Sequence, residues 1–147
     1  MYVRELSVYY RLRRIRGSPI PDGIVATPSA SAAMFSTLLG HEVVEVCGVV
    51  CLSSRLEVLA YHELARGTLD RTIVQPRDIF RTALLANAGS VLVGHNHPSG
   101  DPAPSPDDIE LTRRVVAAGT LMGIAVLDHV IVAPANRYFS FKESGQL

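Results

Sequence analysis

The sequence has no tryptophan, only two cysteines, and no uninterrupted apolar run longer than Val46–Leu52. A membrane-spanning helix needs about 20 consecutive apolar residues, so that run falls far short of one. Two cysteines cannot build a disulfide framework. If Cys47 and Cys51 share a strand they lie about 13 Å apart, beyond disulfide reach, and they read as two buried thiols. Neither sign of charge is in excess: 14 basic residues balance 14 acidic ones, and no global cationic field for nucleic acid follows. The basic N-terminus has no apolar segment behind it, so no secretory signal is visible and a soluble, cytoplasmic protein is expected. Repeats and low-complexity segments are also lacking. What is present is a chain of 147 residues, 48% hydrophobic and 19% charged. That is too apolar for a disordered tail and long enough for one domain with its own core.

Residues 5–13 alternate, Leu6, Val8, Tyr10 and Leu12 against Ser7, Tyr9, Arg11 and Arg13. The pattern predicts a half-buried strand with its arginines on the wet face. Arg4, Arg11, Arg13, Arg14 and Arg16 stand against the single acid Glu5 in this stretch. They read as a solvated edge guarded against aggregation, with contact to phosphates as the alternative. Residues 17–23 read as a loop. Thr27-Pro28 pairs an N-cap with proline at the first helical position, and Gly40 is a stop, so a helix is predicted over 28–39. Strands are predicted at Val43–Leu52, Leu56–Glu63 and Arg71–Val74. Pro76 opens a helix through about Ala88, closed by Gly89. Ser90–Gly94 reads as a short buried strand, Pro106–Met122 as a helix, and Tyr138–Phe141 as a last strand. Ile124–Val132 is apolar on both faces and reads as a central strand. Strands interleaved with helices give an α/β (α+β) sandwich.

The chemistry concentrates where the Ser90–Gly94 strand runs into His95-Asn96-His97-Pro98. In extended backbone, residues two apart point to one side, so both imidazoles can converge on one ion. The proline-braced loop behind them ends at Ser105-Pro106-Asp107-Asp108, where a helix begins. A carboxylate there supplies a third ligand, and two histidines with one carboxylate and an open position make a catalytic zinc arrangement. Spacing alone does not choose among Asp101, Asp107 and Asp108. Ser105 and Asp108 also read as a capping box, and both aspartates suit the positive end of a helix. Glu45 opens the apolar run, where a buried acid is costly unless paired or used. Asp128 and His129, within an apolar strand, read either as groups that orient a metal ligand or as satisfied core polar residues. His41 and His62 are assigned no ligand role.

His95-x-His97-Pro98, six residues, Ser105, two residues, Asp108 resembles the JAMM (JAB/MPN) metalloprotease pattern. The wider strings resemble its RadC-like branch: His95 to Asp101, Pro104 to Asp108, Arg66-Gly67-Thr68-Leu69, Pro76-Arg77-Asp78-Ile79-Phe80, Leu127-Asp128-His129-Val130-Ile131 and Tyr138-Phe139-Ser140-Phe141. Most relatives would carry Glu where Asp78 stands. The family's upstream Glu-x-x-Gly is matched by Glu45-Val46-Cys47-Gly48, with Glu42 the nearest rival.

The resemblance implies a single JAB/MPN-like (cytidine-deaminase-like) domain at 41–147, a mixed β-sheet packed between helices; residues 1–40 lie outside it and read, from their own pattern, as a strand-helix extension. It implies one Zn2+ per chain on His95, His97 and Asp108, with a bound water as the fourth ligand. Glu45 becomes the general base, and Ser105 the donor to the oxyanion. The expected activity is a metallohydrolase, a peptidase or isopeptidase acting on a peptide or small protein. A metal-dependent nuclease, or a DNA-associated RadC-like repair module, is the alternative, with nucleic acid then as partner. No membrane partner is expected, and an open N-terminal strand allows a homodimer.

Overall fold

The structure is a computed structural model and describes residues 1, 3–12, 20, 22–67 and 74–147. Arg13, Arg14, Arg16, most of the 17–23 loop, and all but Val74 of the expected strand at Arg71–Val74 lie outside the described residues.

Among the described residues, three helices and five strands follow the order α1 (Pro28–Leu39), β1 (Val46–Leu52), β2 (Val58–Arg66), α2 (Pro76–Leu85), β3 (Ser90–Asn96), α3 (Pro106–Met122), β4 (Ala125–Ala133) and β5 (Arg137–Ser140). The helix starts follow local chemistry. Thr27 accepts a hydrogen bond from the Ala30 amide at 3.1 Å, just before Pro28. Asp78 accepts from the Gln75 backbone amide at 3.2 Å and completes a capping box. A carboxylate one methylene shorter than glutamate serves there.

The strands form one mixed sheet in the order β2-β1-β3-β4-β5. Only β3 and β4 run parallel, joined through α3; the other neighbours are antiparallel. Alternate residues of the central strands feed two cores. Cys47, Val49, Cys51, Val91 and Val93 pack with Ile79, Phe80 and Val115 of α2 and α3. Val46, Val50, Leu52, Leu92 and Val130 pack with Phe35, Leu38 and Leu39 of α1. The helix expected in an N-terminal extension therefore covers one face of the sheet.

Gly48 and Gly94 face each other across the β1–β3 ladder. A Cβ on Gly94 would stand 2.5 Å from the Phe35 ring, and one on Gly48 2.5 Å from the Tyr61 ring. Two aromatic rings thus fill the space two absent side chains leave.

Several boundaries differ from the sequence reading; α2 ends at Leu85 rather than about Ala88, and β2 runs on to Arg66. The strand expected over 5–13 does not form in residues 3–12, where Leu6, Tyr10 and Leu12 are 80%, 61% and 98% exposed. Alternation makes a strand only when a neighbouring strand takes its backbone groups and one face is covered. The Tyr10 hydroxyl donates to the Leu85 carbonyl at 3.3 Å. β1 starts at Val46 rather than Val43, because the Glu42 and Val44 carbonyls bond to the Asn96 side chain instead of a ladder. β2 starts after Leu56, whose φ of 64° belongs to a turn.

Candidate metal centre

β3 runs two residues past the predicted end, so His95 and Asn96 are part of the sheet, His95 paired with both β1 and β4 and Asn96 with β4. The His97 amide adds one more bond, to the Val132 carbonyl at 2.8 Å. Extended backbone across 95–97 brings both rings to one side, with their Nε2 atoms 3.0 Å apart. His95 is 1% exposed. His97 Nδ1 lies 2.8 Å from the Asp101 carbonyl oxygen. A carbonyl only accepts, so Nδ1 carries the proton and the Nε2 lone pair faces His95. Asp101 belongs to this bracing loop: its Oδ1 accepts from the Ala103 amide at 3.0 Å.

Asp108, at the start of α3, is the aspartate brought to both imidazoles. Its Oδ1 stands 3.2 Å from His95 Nε2, and its Oδ2 3.7 Å from His97 Nε2. Oδ2 also accepts from the Ser105 amide and hydroxyl, each at 2.7 Å, while the Asp108 amide donates to Ser105 Oγ at 3.2 Å. The cap and the site are thus one structure. Burial pushes the Asp108 carboxyl up, but His95 and Ser105 together pull harder and hold it well below the usual carboxylate range. Asp107 is exposed.

Glu45 approaches from the segment before β1. Its Oε1 is 3.7 Å from His97 Nε2 and 4.0 Å from His95 Nε2. Asn96, pointing away from the rings on either side of it, fixes that segment. Its Oδ1 accepts from the Val46 amide at 2.7 Å, and its Nδ2 donates to the carbonyls of Val44 at 3.0 Å and Glu42 at 3.3 Å. The Glu45 carbonyl accepts from the Gly67 amide at 2.9 Å. Glu42, the rival carboxylate, meets the Arg66 guanidinium instead, at 2.6 Å.

Asp128 and His129 separate cleanly. His129 Nε2 is 3.0 Å from His95 Nδ1, and its Nδ1 is 2.6 Å from Thr112 Oγ1. Burial, with His95 nearby, pushes the His129 imidazole down to about 3. Asp128 points elsewhere: its carboxylate accepts from the Ser140 hydroxyl at 2.6 Å and the Lys142 amide at 3.0 Å, tying down the C-terminal turn. Burial pushes the Asp128 carboxyl up from the ordinary carboxylate range, against the pull of those bonds. Sequence reasoning left Thr112 and Asn96 out. Thr112 carries a weak signal, a hydroxyl one helical turn after Asp108; Asn96 had only its place between two histidines.

The donor set fits a small divalent ion. Tetrahedral ligands at zinc distances sit about 3.3 Å apart. The contacts of 3.0 and 3.2 Å on His95, and 3.7 Å between His97 and Asp108, bracket that spacing. Glu45, His95 and His97 also place one donor atom each within 4.8 Å of one another, so reach alone admits Glu45 as a ligand too. Among the described residues no helix is long and apolar enough to cross a membrane.

A mixed sheet between helices, with two imidazoles and two carboxylates gathered at the ends of its central strands, defines an α/β domain built around a candidate metal centre. Residues 25–146 match the RadC-like JAB domain, and the chain belongs to that family. It is 50% identical to a UPF0758 protein of Thermotoga maritima over 103 residues, 70% of this chain and 46% of that protein. It is 38% identical to UPF0758 proteins of Symbiobacterium thermophilum and Desulfitobacterium hafniense, over 91% and 92% of this chain and 57% and 59% of theirs. The chain therefore spans about half the length of the curated relatives it matches.

Proposed function

We propose that this chain is a zinc-dependent hydrolase of the JAMM type, cleaving a peptide or isopeptide bond. The observation that carries the reading is the convergence of His95 Nε2, His97 Nε2 and the Asp108 carboxylate, with Glu45 beside them and more exposed. Side-chain exposure is 31% for Glu45 against 2%, 15% and 13% for His95, His97 and Asp108. Nitrogen and carboxylate donors with no cysteine suit zinc in a catalytic rather than a closed structural site. His95, His97 and Asp108 would hold the ion, which supplies Lewis acidity and a water acidified to near neutral pH.

The protein's own residues do the rest. Glu45 sits farther from His95 than Asp108 does, 4.0 against 3.2 Å, and equally far from His97, on the more exposed side, where its carboxylate can take a proton from water and return it to the leaving nitrogen. Ser105 is exposed, and its hydroxyl proton is engaged by Asp108. Turning that proton outward makes it a donor to the developing oxyanion. A formal charge of zero favours a peptide over a phosphodiester substrate.

The test is elemental analysis beside hydrolysis of peptide and nucleic-acid substrates with and without chelator. Wild type should hold about one zinc per chain, absent from His95→Ala/His97→Ala. Glu45→Gln should keep the zinc and the fold and lose hydrolysis by about 10²–10⁴-fold. Zinc loss in Glu45→Gln would make Glu45 a ligand. Cleavage confined to nucleic acid would make the centre a nuclease, and a metal-free wild type after zinc supply would leave only a binding module.

A further inference from the structure

His95 has a second ring nitrogen that faces away from the cluster, and it begins a chain of buried polar contacts. Nδ1 of His95 lies 3.0 Å from Nε2 of His129, and Nδ1 of His129 lies 2.6 Å from Oγ1 of Thr112. Thr112 Oγ1 lies 2.6 Å from the carbonyl oxygen of Asp108. His95, His129 and Thr112 are 1%, 1% and 3% exposed, so water does not substitute for any link. The path leaves one member of the cluster and returns to the backbone of another.

Two proton orders are open to such a chain. A carbonyl oxygen only accepts, and a threonine hydroxyl has one proton to give. With that proton on the Asp108 carbonyl, Thr112 accepts from Nδ1–H of His129. Nε2 of His129 is then a lone pair and accepts from Nδ1–H of His95. That leaves Nε2 of His95 as a lone pair aimed into the cluster. In the reverse order Thr112 donates to His129, His129 donates to His95, and Nε2 of His95 carries a hydrogen toward Asp108 Oδ1, 3.2 Å away. Only the first order leaves His95 able to ligate a cation. The Asp108 carbonyl makes it available by giving the hydroxyl proton somewhere else to go. The His129 ring is held for this by Phe141, stacked at 5.0 Å and 8°, whose amide donates to the His129 carbonyl at 3.0 Å.

We propose that Thr112 and His129 are positioning residues that keep His95 in its Nδ1–H form and so present its Nε2 to a divalent cation. The proposal rests on the metal-site reading above. Partners of this kind are typically worth 10–100-fold in metal affinity. His97 is set in the same form by a backbone carbonyl alone, at 2.8 Å. The two ligands thus reach one state by different means, and only that of His95 depends on replaceable side chains.

The experiment measures the zinc Kd by chelator competition for wild type, Thr112→Val and Thr112→Ser, with thermal melts of each. In parallel, the histidine nitrogens of zinc-loaded wild type are read by 15N NMR. Thr112→Val trades the hydroxyl for a methyl, leaves Nδ1–H of His129 without an acceptor, and releases His129 into the opposite form. Its Kd should rise about 10–100-fold, and Thr112→Ser should return it to within a few-fold of wild type. The His95 proton in loaded wild type should sit on Nδ1. A folded Thr112→Val with the wild-type Kd, or a loaded wild type whose His129 proton sits on Nε2, overturns the proposal and leaves the metal site standing. The wild-type NMR result decides the matter even if Thr112→Val does not fold. A wild type that binds no zinc overturns the metal-site reading and this proposal with it.

Discussion

Asp108 divides its carboxylate between two tasks. Oδ2 closes the cap of α3 with Ser105, and Oδ1 stands at His95. Replacing one oxygen by an amide nitrogen puts N–H groups where an acceptor is needed on at least one side. Asp108→Asn should therefore raise the zinc Kd by more than about tenfold, while Asp107→Asn, at an exposed position, should leave it near wild type. Chelator competition on the two variants checks this, and the opposite order would move the ligand by one residue. Ser105 and Asp108 were legible in sequence twice over, as a capping box and as half of a metal motif. The capping box forms, and the same carboxylate stands within 3.2 Å of His95 Nε2 and 3.7 Å of His97 Nε2, because a helix N-terminus and a pair of imidazoles both favour a carboxylate at that place. Spacing could not separate Asp108 from Asp101 and Asp107, since the turn at residues 98–104 decides which carboxylate returns to the histidines.

At the scale of elements, β3 works on two sides at once. His95 and His97 point one way, and Asn96 points the other, where it grips the segment that delivers Glu45. Asn96→Ala leaves the buried Val46 amide without its acceptor and should cost about 1–3 kcal/mol, read by urea denaturation. Gly94, on the same strand, gives its space to the Phe35 ring of α1. Gly94→Ala puts a methyl group 2.5 Å from that ring, and the overpacking should cost about 1–3 kcal/mol, seen as a lower Tm. The helices α1 and α3 were legible to the residue because caps and prolines mark them. The strand ends were not, because what stops β1 at Val46 is an asparagine fifty positions away.

The whole molecule encloses both thiols in the core between the sheet and the helices α2 and α3. Burial pushes Cys47 up from 9.0 to about 12 and Cys51 from 9.0 to about 11. A thiol harder to ionise when folded supports the native state fully below its unfolded value and less above it. Stability should therefore hold to about pH 9 and fall as the pH rises toward 11–12. Denaturant melts at stepped pH check this, and the loss should be shallower in Cys47→Ala/Cys51→Ala. At neutral pH the native thiols should react with an aromatic disulfide only on unfolding.

Composition, caps and spacing alone determined that this chain is an ordered α/β domain, where its helices begin, and which histidines stand two apart at a strand end. These are local matters: 3.6- and 2-residue periods, hydrogen bonds within one turn, and a motif written in consecutive residues. Tertiary structure alone decided that the alternating residues 3–12 make no strand, and that Glu42 turns to Arg66 while Glu45 turns to the histidines. It also decided that His129 and Thr112 stand behind His95, while Asp128 serves the C-terminal turn. Each of those outcomes depends on which distant backbone lies alongside, and neighbours across a sheet or under a helix leave no mark in the order of the residues they meet.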